Sequence, residues 1–362
     1  MCALTFIDRR DRYMDELLEK DLIRRANSIY EYYQNLIKEN FSHRWYLSDL
    51  EFEIKDSKEI NGKSWCMDDK DHIEINKGVI ELYYNYFVTV MENDKIEFFH
   101  LLNITKEDDE LKKMSYEGVF FRNGKLEIYD NKLVDDGKAK LLEIFVSRFI
   151  ILHELGHILN GHCKLLASKD NLTGMNYIPF YYYKNEKFLD EKSALDIRTL
   201  EMDADAFAAT QSIVHVLYLY KNFESQVKIK MEPKDIFYWW SFAVRSHFLM
   251  CEDQFMDNAY YKTMTHLPSS ARWSLIYLSA LEVIGSCDMI EQERKEFKEL
   301  IIKGALNAEV KFNNIKFSMY SWIKEIDSNM QYASYRDEIN SNWVKIKTQL
   351  KKHSRLPLFG EI

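Results

Sequence analysis

The stretch Ile150–His162 reads IILHELGHILNGH, an apolar run broken at His153, Glu154 and His157. Packing gives an apolar helix no reason to carry two imidazoles and a carboxylate there. A helix turns once in about 3.6 residues, so His153 and His157 lie on one face, one turn apart. At that spacing both rings reach a single metal ion. Glu154 is displaced by about a third of a turn, close enough to touch a water on the ion without being a ligand. This is the HExxH arrangement, and its chemistry is zinc-activated hydrolysis. The ion acidifies a water, Glu154 takes the proton, the hydroxide attacks a peptide carbonyl, and Glu154 returns the proton to the leaving amine.

A catalytic zinc usually has three protein ligands and a water, so the two histidines leave one place to fill. LEMDADAFAAT, Leu200–Thr210, supplies the obvious candidate. On a helix Glu201, Ala204, Asp205 and Ala208 share a face, and the alanines allow close approach to the His153–His157 helix. Glu201 is read as the third ligand. Asp205, one turn on, is placed to hydrogen-bond the outer nitrogen of a ligand histidine, His153, which fixes its tautomer and raises its basicity. Asp203 points elsewhere on that helix and is read as exposed or in a structural salt bridge. His162 is the rival third ligand. Directly after Gly161 it reads better as a cap on the last helical carbonyls. Cys163 reads as a packed thiol. The oxyanion of the intermediate wants a second positive or hydrogen-bonding group. His266 and Arg272 are the candidates, flanking a turn with Pro268 and two serines at a helix start. His215 and His247 fall in apolar helices and read as satisfied core histidines.

These residues need helices to hold them. Only 11 glycines and 4 prolines occur among 362 residues, which favours a well-packed, mostly helical chain. The expected fold class is α+β, mostly α, with a small mixed β-sheet over the HExxH helix and additional helices at both ends. Residues 1–44 form an N-terminal helical segment, with apolar residues at helical steps over Arg10–Asn40. Residues 45–232 form the catalytic core. In it LEFEIK and DHIEIN alternate as strands, and Asn76–Lys77–Gly78 turns the chain into the helix VIELYYNYFVTVM. Leu102–Glu117 reads as a surface connection. Asn123–Gly124 within Gly118–Tyr129 signals a hairpin, a candidate edge strand for a peptide substrate. The HExxH helix should start near Asp136–Lys140 and stop at Gly161. A tyrosine-rich insertion at 164–192 is a candidate lid or substrate wall. Residues 233–362 form a C-terminal helical subdomain that contributes to the cleft.

The net charge of −9 argues against nucleic acid as main partner. The five cysteines are odd in number and unpatterned, which suggests reduced thiols and a cytoplasmic setting. The N-terminus becomes charged before a secretory signal can develop. No apolar run reaches the roughly 20 residues of a membrane span, so the chain reads as soluble. The expected partners are a protein or peptide substrate and a regulatory protein.

HELGHILNGH resembles the HExxHxxxGH form of the gluzincin metallopeptidases, and EMDADAFA resembles their E-x-[ED]-A-[DN]-x-F-A form. THLPSSAR resembles the His-Pro…Arg turn of the HtpX-like peptidases, except that Leu267 stands where that branch has proline and Pro268 follows. That branch is commonly membrane-bound, whereas this chain lacks spanning segments. The order DHIEINKGVIELYYNYF, FIILHELGHILNGH, LEMDADAFA is similar to the soluble Lit-type phage-exclusion peptidases, over roughly Trp65–Thr210. The resemblance implies cytoplasmic cleavage of a specific intracellular protein, in phage defence or stress signalling. ImmA/IrrE-like regulatory peptidases acting on a repressor share the HExxHxxxGH form. Asp205 in place of their asparagine, and no helix-turn-helix signal, weigh against them. A non-catalytic zinc-stabilised binding scaffold is the alternative of another class, and the intact Glu154 argues against it.

Overall fold

The computed structural model describes residues 4–40, 49–57, 61–67, 70–93, 119–122, 125–128, 137–168, 178–179, 190–227, 229–251, 265–267, 269–316 and 330–358. The first element is one long helix, α1 (Leu4–Asn40). Its apolar stripe Leu22, Ala26, Ile29, Tyr33 and Ile37 is buried. Strand β1 (Leu50–Lys55) alternates in burial as its sequence alternates. Strand β3 (Lys70–Asn76) leads directly into α2 (Lys77–Asn93), as the Asn-Lys-Gly turn signal requires.

Between them lies β2 (Gly62–Met67), a strand that hydrophobic alternation did not reveal. Its buried positions are Gly62 and Ser64, which carry no apolar signal. The sheet is mixed, in the order β1-β3-β2-β6. β1 runs parallel to β3, and β2 runs antiparallel to it. The last member, β6 (Ile178–Pro179), comes from the insertion and pairs with Lys63 and Ser64 of β2. Of that insertion, residues 169–177 and 180–189, with most of the tyrosine-rich segment, lie outside the described residues, as do Leu102–Glu117 and Pro268.

The hairpin expected near Asn123–Gly124 is present as β4 (Val119–Arg122) and β5 (Lys125–Ile128); the two turn residues lie outside the described residues. It forms a sheet of its own, against α2 and the later helix Glu291–Lys316. The strand that packs against the HExxH helix is β2.

The helix α3 (Gly137–Leu159) carries the motif and is buried over almost its whole surface. A helix apolar all round belongs in a core, and α2, the sheet, and two later helices, Glu191–Lys221 and Asp235–Met250, enclose this one. Two of its polar residues are accounted for by α1: Arg25 Nη2 donates to Glu143 Oε1 at 3.1 Å and Nη1 donates to Ser147. After a turn at Asn160–Gly161 comes the short α4 (His162–Ser168). Asp190 then caps α5 (Glu191–Lys221), accepting from the Lys192 and Ser193 amides. The remaining helices among the described residues are α6 (Phe223–Gln226), α7 (Asp235–Met250), α8 (Ser269–Ser286), α9 (Glu291–Lys316) and α10 (Met330–Leu350). Among the described residues the main apolar cluster runs from Leu22 of α1 to Phe312 of α9, with two smaller clusters beside it. No described helix is long and apolar enough to cross a membrane.

Candidate metal centre

Three elements converge on one buried point. α3 brings His153, Glu154 and His157. α5 crosses it closely, because Gly156 has no Cβ: one built there would stand 3.2 Å from the Ala204 Cα. That approach sets Glu201 opposite the two histidines. α8 packs on α5 and brings Arg272, with His266 just before it.

His153, His157 and Glu201 form the one group among the described residues whose ligand atoms could hold a metal ion. The separations are 3.1 Å between the two Nε2 atoms, 3.4 Å from His153 Nε2 to Glu201 Oε2, and 3.4 Å from His157 Nε2 to Glu201 Oε1. Ligand atoms about 2.0–2.2 Å from a tetrahedral ion stand roughly 3.3–3.5 Å apart, so the donor set fits one. All three residues are essentially inaccessible. Neither oxygen of Glu201, nor of Glu154, has a hydrogen bond of ordinary geometry among the described residues. Two buried carboxylates that lack well-formed hydrogen bonds are costly unless something else meets them.

The outer nitrogens are tied down. His153 Nδ1 lies 2.9 Å from Asp205 Oδ1, the contact expected from the sequence. Arg272 grips Asp205 with two bonds, Nε to Oδ2 at 2.7 Å and Nη2 to Oδ1 at 2.8 Å. Its guanidinium also stacks 4.9 Å over Phe248 and comes within 3.6 Å of Glu201. His266 Nε2 lies 3.2 Å from Glu201 Oε2 and has no hydrogen bond of ordinary geometry, while its Nδ1 meets Thr265 Oγ1.

One expectation is corrected and a second is narrowed. His162 is no helix cap: it opens α4, is fully buried, and places Nδ1 2.9 Å from His157 Nδ1. Asp203 is not exposed, and of its two expected roles it takes the second, a structural pair. It is buried and accepts from Asn160 Nδ2 at 2.6 Å, and its Oδ2 lies 3.0 Å from His162 Nε2. Cys163 is a buried thiol beside Ser64, as expected. His247 is a core histidine bonded to the Tyr83 hydroxyl, and half-buried His215 stacks on Tyr218.

Charge follows from burial and neighbours. Burial alone would lower His153, but Asp205 and Glu201 carry it up to about 9. Burial takes His157 down to about 3, so that ring is neutral. Burial opposes ionisation of Glu201, yet His266, His157 and His153 hold it well below the usual carboxylate range. Burial pushes Glu154 up to about 7, with His153 and Ser64 pulling the other way. A carboxyl held near neutrality can both take and return a proton. The site can therefore bind a metal ion and move a proton beside it. No protein-family model, curated protein or solved structure matches the chain.

Proposed function

We propose that the protein is a zinc-dependent endopeptidase that cleaves an intracellular protein. The observation that carries this reading is Glu154: buried, without a hydrogen bond of ordinary geometry among the described residues, held near neutrality, and next to a His-His-Glu group. A purely structural metal site needs no such residue. Two imidazoles and one carboxylate are a donor set suited to zinc with a coordination place left open. A small mixed sheet over the HExxH helix, with the glutamate helix following, agrees with the zincin plan implied by the gluzincin resemblance.

His153, His157 and Glu201 would hold the ion, which when bound supplies polarisation of a water and of the scissile carbonyl. Glu154 takes the water's proton on a carboxylate oxygen and delivers it to the leaving amine. His266 presents Nε2 as a donor for the developing oxyanion. Arg272 holds Asp205, and through it keeps His153 oriented. Phage defence or stress signalling is the role we infer from the Lit-type resemblance.

The test compares purified wild type with Glu154→Gln for zinc content and for cleavage of a broad peptide pool, self-cleavage included. Zinc retained with cleavage lost in the variant is the expected result. No cleavage by either protein would favour a zinc-stabilised scaffold.

A further inference from the structure

His157 and His162 stand five residues apart. On an unbroken helix that separation turns a side chain about 140° away, so the two rings could not meet. They meet because α3 stops at Leu159 and the chain reverses at Gly161, whose φ is +82°. The segment after α10 holds this turn. Arg355 N donates to the Leu159 carbonyl at 2.7 Å, and the backbone of His353 and Ser354 lies where a Gly161 side chain would be.

The ring order that results has only one consistent proton arrangement. His157 faces the centre through Nε2, so a metal there requires that atom's lone pair and places the ring proton on Nδ1. His157 Nδ1–H must then donate to His162 Nδ1 across 2.9 Å. His162 in turn carries its proton on Nε2 and donates to Asp203 Oδ2 across 3.0 Å. Asp203 Oδ2 also accepts from Asn160 Nδ2, which holds the carboxylate in place. Each ligand imidazole thus ends on one carboxylate of α5: His153 directly on Asp205, His157 through a second imidazole on Asp203.

We infer that His162 and Asp203 are positioning residues for the metal ligand His157, forming a buried His157–His162–Asp203 chain that fixes its tautomer and aim. This rests on the metal-centre reading above. Without the Asp203 acceptor, His162 is free to move its proton to Nδ1 and to confront the His157 donor with another donor. The partners that orient a ligand typically change metal affinity by about 10–100-fold.

The test uses the full chain with zinc and with cobalt(II). Affinity is read by chelator competition, ligand field by the visible spectrum of the cobalt protein, and folding by the thermal midpoint of the metal-free protein. Asp203→Leu should weaken zinc by about 10–100-fold and shift the cobalt bands. Asp203→Asn, which keeps an acceptor oxygen, should stay near wild type in both. Should Asp203→Leu fail to fold, nitrogen NMR of zinc-loaded wild type reads the tautomer directly. His162 protonated on Nε2 supports the chain, and His162 protonated on Nδ1 overturns it. Wild-type affinity and spectrum in a folded Asp203→Leu also overturn it. Wild type that takes up neither metal overturns the centre itself, and the chain with it.

Discussion

Without metal, His153 holds a proton on the nitrogen that a metal ion needs. Burial disfavours that charge, but Asp205 on one side and Glu201 on the other bring the ring up to about 9. His157 and Glu201 are already in their metal-binding forms at neutral pH. Metal uptake near pH 7 should therefore release one proton, and apparent affinity should rise about tenfold per pH unit until about pH 9. Calorimetry in buffers of different ionisation enthalpy measures the proton release, and affinity that does not change with pH would contradict it. The same raised value stabilises the metal-free fold fully below about 6.5, and that stability is lost as pH rises through about 9. Most of this residue set was legible in the sequence. One helical turn relates His153 to His157, and another relates Glu201 to Asp205, so spacing alone aligns them. His162 was misread, and the partner of Asp203 was not foreseen, because their contact depends on a chain reversal. No periodicity in either helix encodes it.

At the level of elements, the turn after α3 is the most exacting point. Gly161 has φ +82°, and a Cβ there would lie 2.5 Å from the His353 carbonyl carbon. Gly161→Ala should cost about 1–2 kcal/mol for the left-handed backbone alone, and more for the overlap. Urea unfolding of the variant checks this. Metal affinity should fall with stability, because the turn also places His162. The helices were readable because glycine and proline are rare and the apolar stripes are regular. β1 and β3 were readable for the same reason. β2 was not: its inward positions are Gly62 and Ser64, and a Cβ on Gly62 would stand 3.2 Å from Glu154 Oε1. Room for the carboxylate erases the hydrophobic alternation by which a strand is recognised. The hairpin was legible as a unit, but its Asn-Gly signal says nothing about where the unit docks.

Across the whole molecule, Asp71 of β3 ties distant parts together. It accepts from Tyr30 of α1 at 2.7 Å and pairs through both oxygens with Arg355, the Nη2 contact being 2.7 Å. The pair is buried, and losing one partner of such a pair costs about 3–5 kcal/mol. Arg355→Met should destabilise by that order in urea unfolding. Burial opposes the Asp71 charge, but Arg355 and Tyr30 hold the carboxyl below its ordinary value near 3.8. Its contribution is therefore full above about 3.8 and is lost as pH falls through the lower folded value, so wild type and variant should converge in acid. Because Arg355 also caps α3 through its amide, this clamp connects the sheet, the far end of the chain and the HExxH helix. We propose that this assembly serves to cut another protein, and a proteome-wide search for new N-termini in cells expressing wild type or Glu154→Gln tests it. New termini at a small set of sites, with wild type only, are the expected result. The same termini in both strains, or none in either, would contradict it.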